Sequence, residues 1–212
     1  MKDRIAYNAS DAIDYRDHHR KNLRVRLSTW RERGLAAAGL KHFTPIHALL
    51  DLASGTGRFW PVARTMAQQA FAMDNSEAML RVARQEVPVP LPLVVGNAFQ
   101  MPFSDNRFDA VLCLRFLHHF SYADDRFSAL QELNRIVSKG VVLSVWTDAG
   151  RAGRRRLARQ SGSVYEKGFG RRVCLPATVL EAEYQAAGFH IVWKRDLLPG
   201  VSLWRFYALE KV

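Results

Sequence analysis

The residues whose types and spacing could do chemistry begin in Leu49-Leu50-Asp51-Leu52-Ala53-Ser54-Gly55-Thr56-Gly57-Arg58-Phe59, an apolar run that enters a glycine-rich turn and continues as a helix. Glycines at 55 and 57 let a ligand come close to the backbone, and the helix amino terminus offers unpaired N–H groups. Two ligand classes use this device. A dinucleotide site needs G-x-G-x-x-G, whose third glycine would fall at position 60, where the chain has Trp60. The nicotinamide alternative loses most of its support there. At the end of the next apolar run stands Asp74, in Phe71-Ala72-Met73-Asp74-Asn75-Ser76-Glu77. An acid at that edge can accept both hydroxyls of a ribose. Its competing reading is a helix N-cap, a job that Ser76 can already do.

The first segment resembles the opening motif of class I S-adenosylmethionine-dependent methyltransferases (the methyltransferase type 11, UbiE-like superfamily), D/E-x-G-x-G-x-G. Asp51, Gly55 and Gly57 match, and Ala53 stands where the first glycine usually is. A later stretch, Gly96-Asn97-Ala98-Phe99-Gln100-Met101-Pro102-Phe103, looks like the family's G-D-A-x-x-L-P-F, with Asn97 in place of the acid. Asn106-Arg107-Phe108-Asp109-Ala110-Val111 resembles the fourth strand, F-D-x-V, and Leu114-Arg115-Phe116-Leu117-His118-His119-Phe120 the loop after it. These matches run in order over about residues 46 to 146. The resemblance implies S-adenosylmethionine as cofactor. It assigns Asp51, Ala53, Gly55 and Gly57 to the turn that holds it, Asp74 and Asn75 to the ribose, and Asn97 and Ala98 to the adenine. It sets Arg115 to His119 beside the reactive sulfonium. An amide oxygen at Asn97 can accept the adenine amino hydrogen through a weaker, uncharged bond; the alternative is a turn asparagine.

With the methyl group carried on a positive sulfur, the protein must align a nucleophile and exclude water, which can supply roughly 7 to 11 kcal/mol of the barrier. A neutral hydroxyl or amine must also lose a proton. His118 or His119 could take it, His119 being the favoured of the two, since imidazole titrates near neutrality. Either ring could instead brace the loop. His18 and His19 sit in an Arg-rich helical stretch, and His42, His47 and His190 lack the spacing of metal ligands, so no metal site is expected.

Elements that position these residues alternate along the chain. Strand-length apolar runs occur at 46–52, 70–73, 91–95, 110–114 and 141–146, with helical stretches over 61–69, 77–86 and 124–137 between them. A further helix, 177–187, ends at Gly188, and the runs 189–197 and 202–209 read as a hairpin. The expected fold is α/β: a Rossmann-like, seven-stranded, mostly parallel sheet with a C-terminal antiparallel hairpin and helices on both faces. Residues 1–42 are expected to form an N-terminal helical cap. The methyltransferase domain would then be 43–212, with a glycine-punctuated, mobile, basic lid inserted at about 148–172.

The chain has 212 residues, 48% apolar and 24% charged, a mixture that buries an ordinary core and excludes disorder and fibrous folds. Cys113 and Cys174 make no disulfide framework. No leader-like segment opens the chain, and no apolar stretch reaches the roughly 18 residues of a membrane span; a cytoplasmic location is expected. The formal charge is +11, and residues 151–172 hold eight basic groups against Glu166 alone. That segment could follow nucleic acid, an anionic surface or a phosphorylated molecule, or be solvated surface.

Small-molecule methylation at O or N is the leading expectation. RNA methylation through 151–172 is the alternative. It is supported by a resemblance of His118-His119-Phe120-Ser121, Ala129-Leu130-Gln131-Glu132-Leu133 and Val145-Trp146 to tRNA wobble-uridine carboxyl methyltransferases. A non-catalytic binding module is a third reading.

Overall fold

A computed structural model describes residues 9–21, 23–160 and 172–212. Two helices, α1 (Ala9–Lys21) and α2 (Leu23–Leu40), precede the first strand, β1 (Ala48–Leu52). There follow α3 (Trp60–Met66), β2 (Gln69–Asp74), α4 (Glu77–Glu86), β3 (Leu93–Val95), β4 (Phe108–Leu114), α5 (Ala123–Ile136) and β5 (Val137–Trp146). The chain closes with α6 (Arg151–Gln160), α7 (Ala177–Ala186), β6 (Phe189–Asp196) and β7 (Trp204–Lys211). One seven-stranded sheet has the order β3-β2-β1-β4-β5-β7-β6. Its ladders are parallel from β3 through β5, and β7 runs antiparallel to both β5 and β6. The α/β fold with a C-terminal hairpin is therefore as expected.

Strand side chains alternate between two apolar cores, as the pleat requires. Leu50 and Leu52 of β1, Val111 and Cys113 of β4, and Val141, Leu143 and Val145 of β5 pack with Leu130, Leu133 and Ile136 of α5 and Leu180 and Tyr184 of α7. Leu49, Ala110, Leu112 and Val142 pack on the other face with Trp60, Val62 and Ala63 of α3, Ala83 of α4, and Ala36 and Leu40 of α2. Because both faces are covered, β1 is buried at every position, the reason its residues are apolar apart from Asp51. The second half of α2 thus belongs to the main core rather than standing outside the sheet. In α4, Ser76 accepts the N–H of Met79 as N-cap, and Met79, Leu80, Val82 and Ala83 form the buried stripe.

The segment after β5 departs from the expected mobile loop. Residues 151–160 are helical, and the first amides of α6 are satisfied by the β6–β7 turn, Arg151 N donating to Gly200 O and Ala152 N to Val201 O. A Cβ on Gly153 would lie 1.8 Å from the carbonyl oxygen of Thr147. This glycine permits close helix-to-strand contact, not flexibility. The rest of the insertion up to residue 171 lies outside the described residues. The strand order reverses between β1 and β4, so the crevice beyond their carboxyl ends is where an open α/β sheet places its ligand. Among the described residues, no helix is long and apolar enough to cross a membrane, and no His/Cys/Asp/Glu cluster could hold a metal.

Candidate active site

The turn after β1 is built on positive φ at Ala53 (54°), Gly55 (55°) and Gly57 (74°). A Cβ on Gly57 would meet the Trp60 ring at 2.9 Å, whereas one on Gly55 would meet nothing within 4 Å. The backbone at Gly55 therefore faces open space, as a cradle for a ligand requires. Trp60, the residue that breaks the dinucleotide pattern, is fully buried and donates through Nε1 to Ser54 Oγ at 2.6 Å. Ser54 Oγ in turn donates to Asp51 Oδ2 at 2.7 Å. Asp51 is buried, and its carboxyl is pushed up to about 7. Burial is the main cause and the Asp74 charge adds to it, while the Ser54 bond and the Arg58 charge act against.

Asp74, at the end of β2, accepts from Gly55 N at 2.8 Å through Oδ2 and from Ser76 N at 2.9 Å through Oδ1. Burial raises its pKa, opposed by the backbone N–H bonds from Ser76, Gly55 and Asn75. A carboxylate has about four acceptor sites, so each oxygen keeps capacity for a hydroxyl. Since Ser76 is the helix cap, Asp74 is left to link β2 to the glycine turn. Asn75 beside it is exposed. Asn97 is also exposed, and its Oδ1 accepts from Phe99 N at 3.1 Å, the geometry of an Asx turn; Ala98 lies between them, half-buried.

Arg115, just past β4, holds a positive φ of 60°, a strained conformation for a side chain of its size, and its N–H donates to Ser144 Oγ at 3.0 Å. The next residues form a short 3-10 turn, Leu117–His119. His118 is buried, stacked on Trp146 at 5.1 Å and edge-on to Trp204 at 5.0 Å, with the His119 ring 4.3 Å away. Burial, His119 and the charges of Arg172 and Arg115 hold His118 well below the usual imidazole range. His119 is pushed down to about 4 by burial, then by Arg172 and Arg115. Both rings are neutral at pH 7, and both are weak proton acceptors. The packing makes His118 a brace in an aromatic cluster, leaving His119 as the less buried of the two.

Several residues of the site carry no local sequence signal. Glu32 of α2 is 2% exposed, 3.2 Å from Arg58 Nη2 and 3.8 Å from Arg115 Nε. Arg58 also donates to Tyr15 OH and Thr29 Oγ1, and Arg33 donates to its carbonyl. The first two helices are thus fastened to the glycine turn and to the loop after β4. Trp146 and Trp204 are register partners in the β5–β7 ladder, a pairing readable only once the hairpin's register is known.

A seven-stranded sheet of this order carries a glycine turn after β1 and acids near the ends of β1 and β2. Residues 50–145 match the family model described as Methyltransferase domain, and the chain carries such a domain. The ubiquinone/menaquinone biosynthesis C-methyltransferase UbiE of Cupriavidus necator is 33% identical over 52% of this chain and 46% of its own length. The probable tRNA methyltransferase 9B of Mus musculus is 25% identical over 69% of this chain and 30% of its own. The chain therefore spans about half, or less, of the length of these curated relatives. Magnesium protoporphyrin IX methyltransferase of Synechocystis, solved with bound SAH, superposes with a TM-score of 0.68 at 16% identity, covering 90% of this chain and 88% of the other.

Proposed function

We propose that the chain transfers a methyl group from S-adenosylmethionine to an O or N nucleophile of a small molecule. The observation that carries this reading is the open backbone at Gly55 beside the Asp74 carboxylate, a cradle with a polar acceptor at the carboxyl ends of β1 and β2. The cofactor supplies a methyl group on a positively charged sulfur. Gly55 and Gly57 keep the turn approachable, Asp51 braces it through Ser54, and Asp74 accepts the ribose hydroxyls with Asn75 alongside. Ala98 offers its N–H to the adenine next to Asn97, and Arg115 to His119 border the acceptor. The described parts of α1, α2 and α6 flank the acceptor side and select the acceptor, with the cytoplasm as the place of work.

Calorimetric titration with S-adenosylhomocysteine and with NAD tests the cofactor assignment. Binding of the former and not of the latter is expected. Asp74→Asn should weaken it at least tenfold, since hydrogen bonds to a charged acceptor are worth about 1.5 to 3 kcal/mol each. An unchanged dissociation constant would leave Asp74 as a brace only.

A second reading, RNA methylation, is favoured by the tRNA methyltransferase relative and by α6, where Arg151, Arg154, Arg155 and Arg159 are exposed. If it holds, single-stranded RNA binding should weaken with salt at a slope of roughly 0.7 per phosphate contacted. Replacing Arg154, Arg155 and Arg159 with Ala should flatten that slope by about two.

A further inference from the structure

Beyond the histidine pair, β5 ends at Trp146 and β7 begins at Trp204, their rings 5.6 Å apart at 74°. Three guanidiniums close on these two rings: Arg115 lies 4.5 Å over Trp204, and Arg156 and Arg172 lie 5.1 and 5.6 Å over Trp146. The acid that reaches this group is Glu32, 3.8 Å from Arg115 and already paired with Arg58 at 3.2 Å. Among the described residues no carboxylate pairs with Arg156 or Arg172, although Arg156 Nη2 donates to the Arg172 carbonyl at 3.0 Å and so draws the two residues together. Two like charges gathered on one ring, with no acid paired to them among the described residues, favour the approach of an anion.

Each of the three is held in place. Arg172 opens a segment pinned by Val173 N to His118 O at 2.7 Å and by Leu175 N to Trp146 O at 3.2 Å. Arg156 rides on α6, whose far end is tied back by paired bonds between Gln160 and Cys174. The Arg115 backbone is fixed by its N–H donating to Ser144 Oγ. Within the cluster, His118 Nδ1 and Trp146 Nε1 are buried without a hydrogen-bond partner.

We infer, resting on the methyltransferase reading, that the methyl acceptor carries a carboxylate held by Arg156 and Arg172, the guanidiniums that already cover Trp146, and that one oxygen of this carboxylate is the nucleophile. A guanidinium presents a flat fork that matches a carboxylate and stacks on aromatic rings. One carboxylate oxygen forms the new bond to the methyl carbon as the carbon–sulfur bond breaks, its electron pair leaving on sulfur. The product is a methyl ester, and no proton moves. This removes the need for a base from a site whose two imidazoles are poor ones.

The test titrates protein loaded with S-adenosylhomocysteine with naphthalene-2-carboxylate, naphthalene-2-carboxamide and phenyl phosphate. The carboxylate should bind at least tenfold more tightly than the carboxamide. Arg156→Gln and Arg172→Gln should each erase that preference, Arg172→Lys restoring only part of it, and Arg159→Gln should leave it intact. Equal binding of acid and amide, a preference that survives in both Gln variants, or tighter binding of the phosphate would overturn the inference. In a second arm, methyl-labelled donor is offered with the acid and, separately, with total tRNA. Label released as methanol by mild alkali marks an ester and supports the inference, on a free acid or on an RNA-borne one according to the arm; alkali-stable label overturns it. Loss of S-adenosylhomocysteine binding itself would instead refute the methyltransferase reading, whereas intact binding without acid preference refutes only the carboxylate acceptor.

Discussion

Replacing Asp51 by Asn should make the protein more stable at alkaline pH, the gain building up between about pH 4 and pH 7. In the folded chain this carboxyl keeps its proton up to about pH 7, while its ordinary value is 3.8. Below about pH 4 both folded and unfolded chains carry the proton, and the group contributes nothing. Between about 4 and 7 the folded chain retains a proton that the unfolded chain has given up, so stability falls as pH rises; above 7 the full penalty stands. At 1.36 kcal/mol per pH unit this comes to about 4 kcal/mol, of which roughly a third is already present at pH 5. The asparagine side chain would carry no such term, and its carbonyl oxygen could still accept from Ser54 Oγ, preserving the bond from Trp60.

The new NH2 group offsets part of the gain, because an unsatisfied buried amide costs about 1 to 3 kcal/mol. That cost does not vary with pH, so the informative quantity is the slope. Denaturant unfolding of both proteins at pH 5 and pH 8 should show the variant's relative stability rising by about 2 to 3 kcal/mol, or by about 5 to 10 °C in Tm for a chain of this size. A difference between variant and parent that stays constant across this range would refute the buried, protonated carboxyl.

Arg126, 3% exposed, makes a two-pronged pair with Glu183 at 2.9 and 2.5 Å and donates to the carbonyls of Phe120 and Ser121, so Arg126→Ala should cost about 3 to 5 kcal/mol in denaturant unfolding. Ala53→Gly should stabilise by about 0.5 to 1 kcal/mol, because relief of a left-handed alanine, about 1 to 2 kcal/mol, exceeds the added freedom of the unfolded chain. Gly34 lies inside α2 with nothing within 4 Å of an added Cβ, so Gly34→Ala should raise stability by about 0.5 to 1 kcal/mol; a lower melting temperature would mean that this turn of α2 is not helical.

The glycine turn and the acid beside it were legible because their determinants are local in the chain. A glycine turn, an acid at a strand end and a capping serine each sit within a few residues of the element they serve, and a strand buried on both faces betrays itself as a mostly apolar run, broken in β1 by Asp51 alone. The acceptor side was not, since its determinants meet only in space. Glu32 is one acid in an Arg-rich helix until folding sets it against Arg58 and Arg115. Trp146 and Trp204 become neighbours only through the register of the β5–β7 ladder. Residue type also misleads where one type serves two purposes: Gly153 has the composition of a loop and the job of a close helix-to-strand contact. The histidines show the same gap from the chemical side. Their type promises a base titrating near neutrality, yet burial, with Arg172 and Arg115 beside it, moves His119 down to about 4, a displacement set mainly by packing that forms only on folding. What the site does to a proton is therefore a property of the folded arrangement, and the acceptor best suited to it is one that arrives with none to lose.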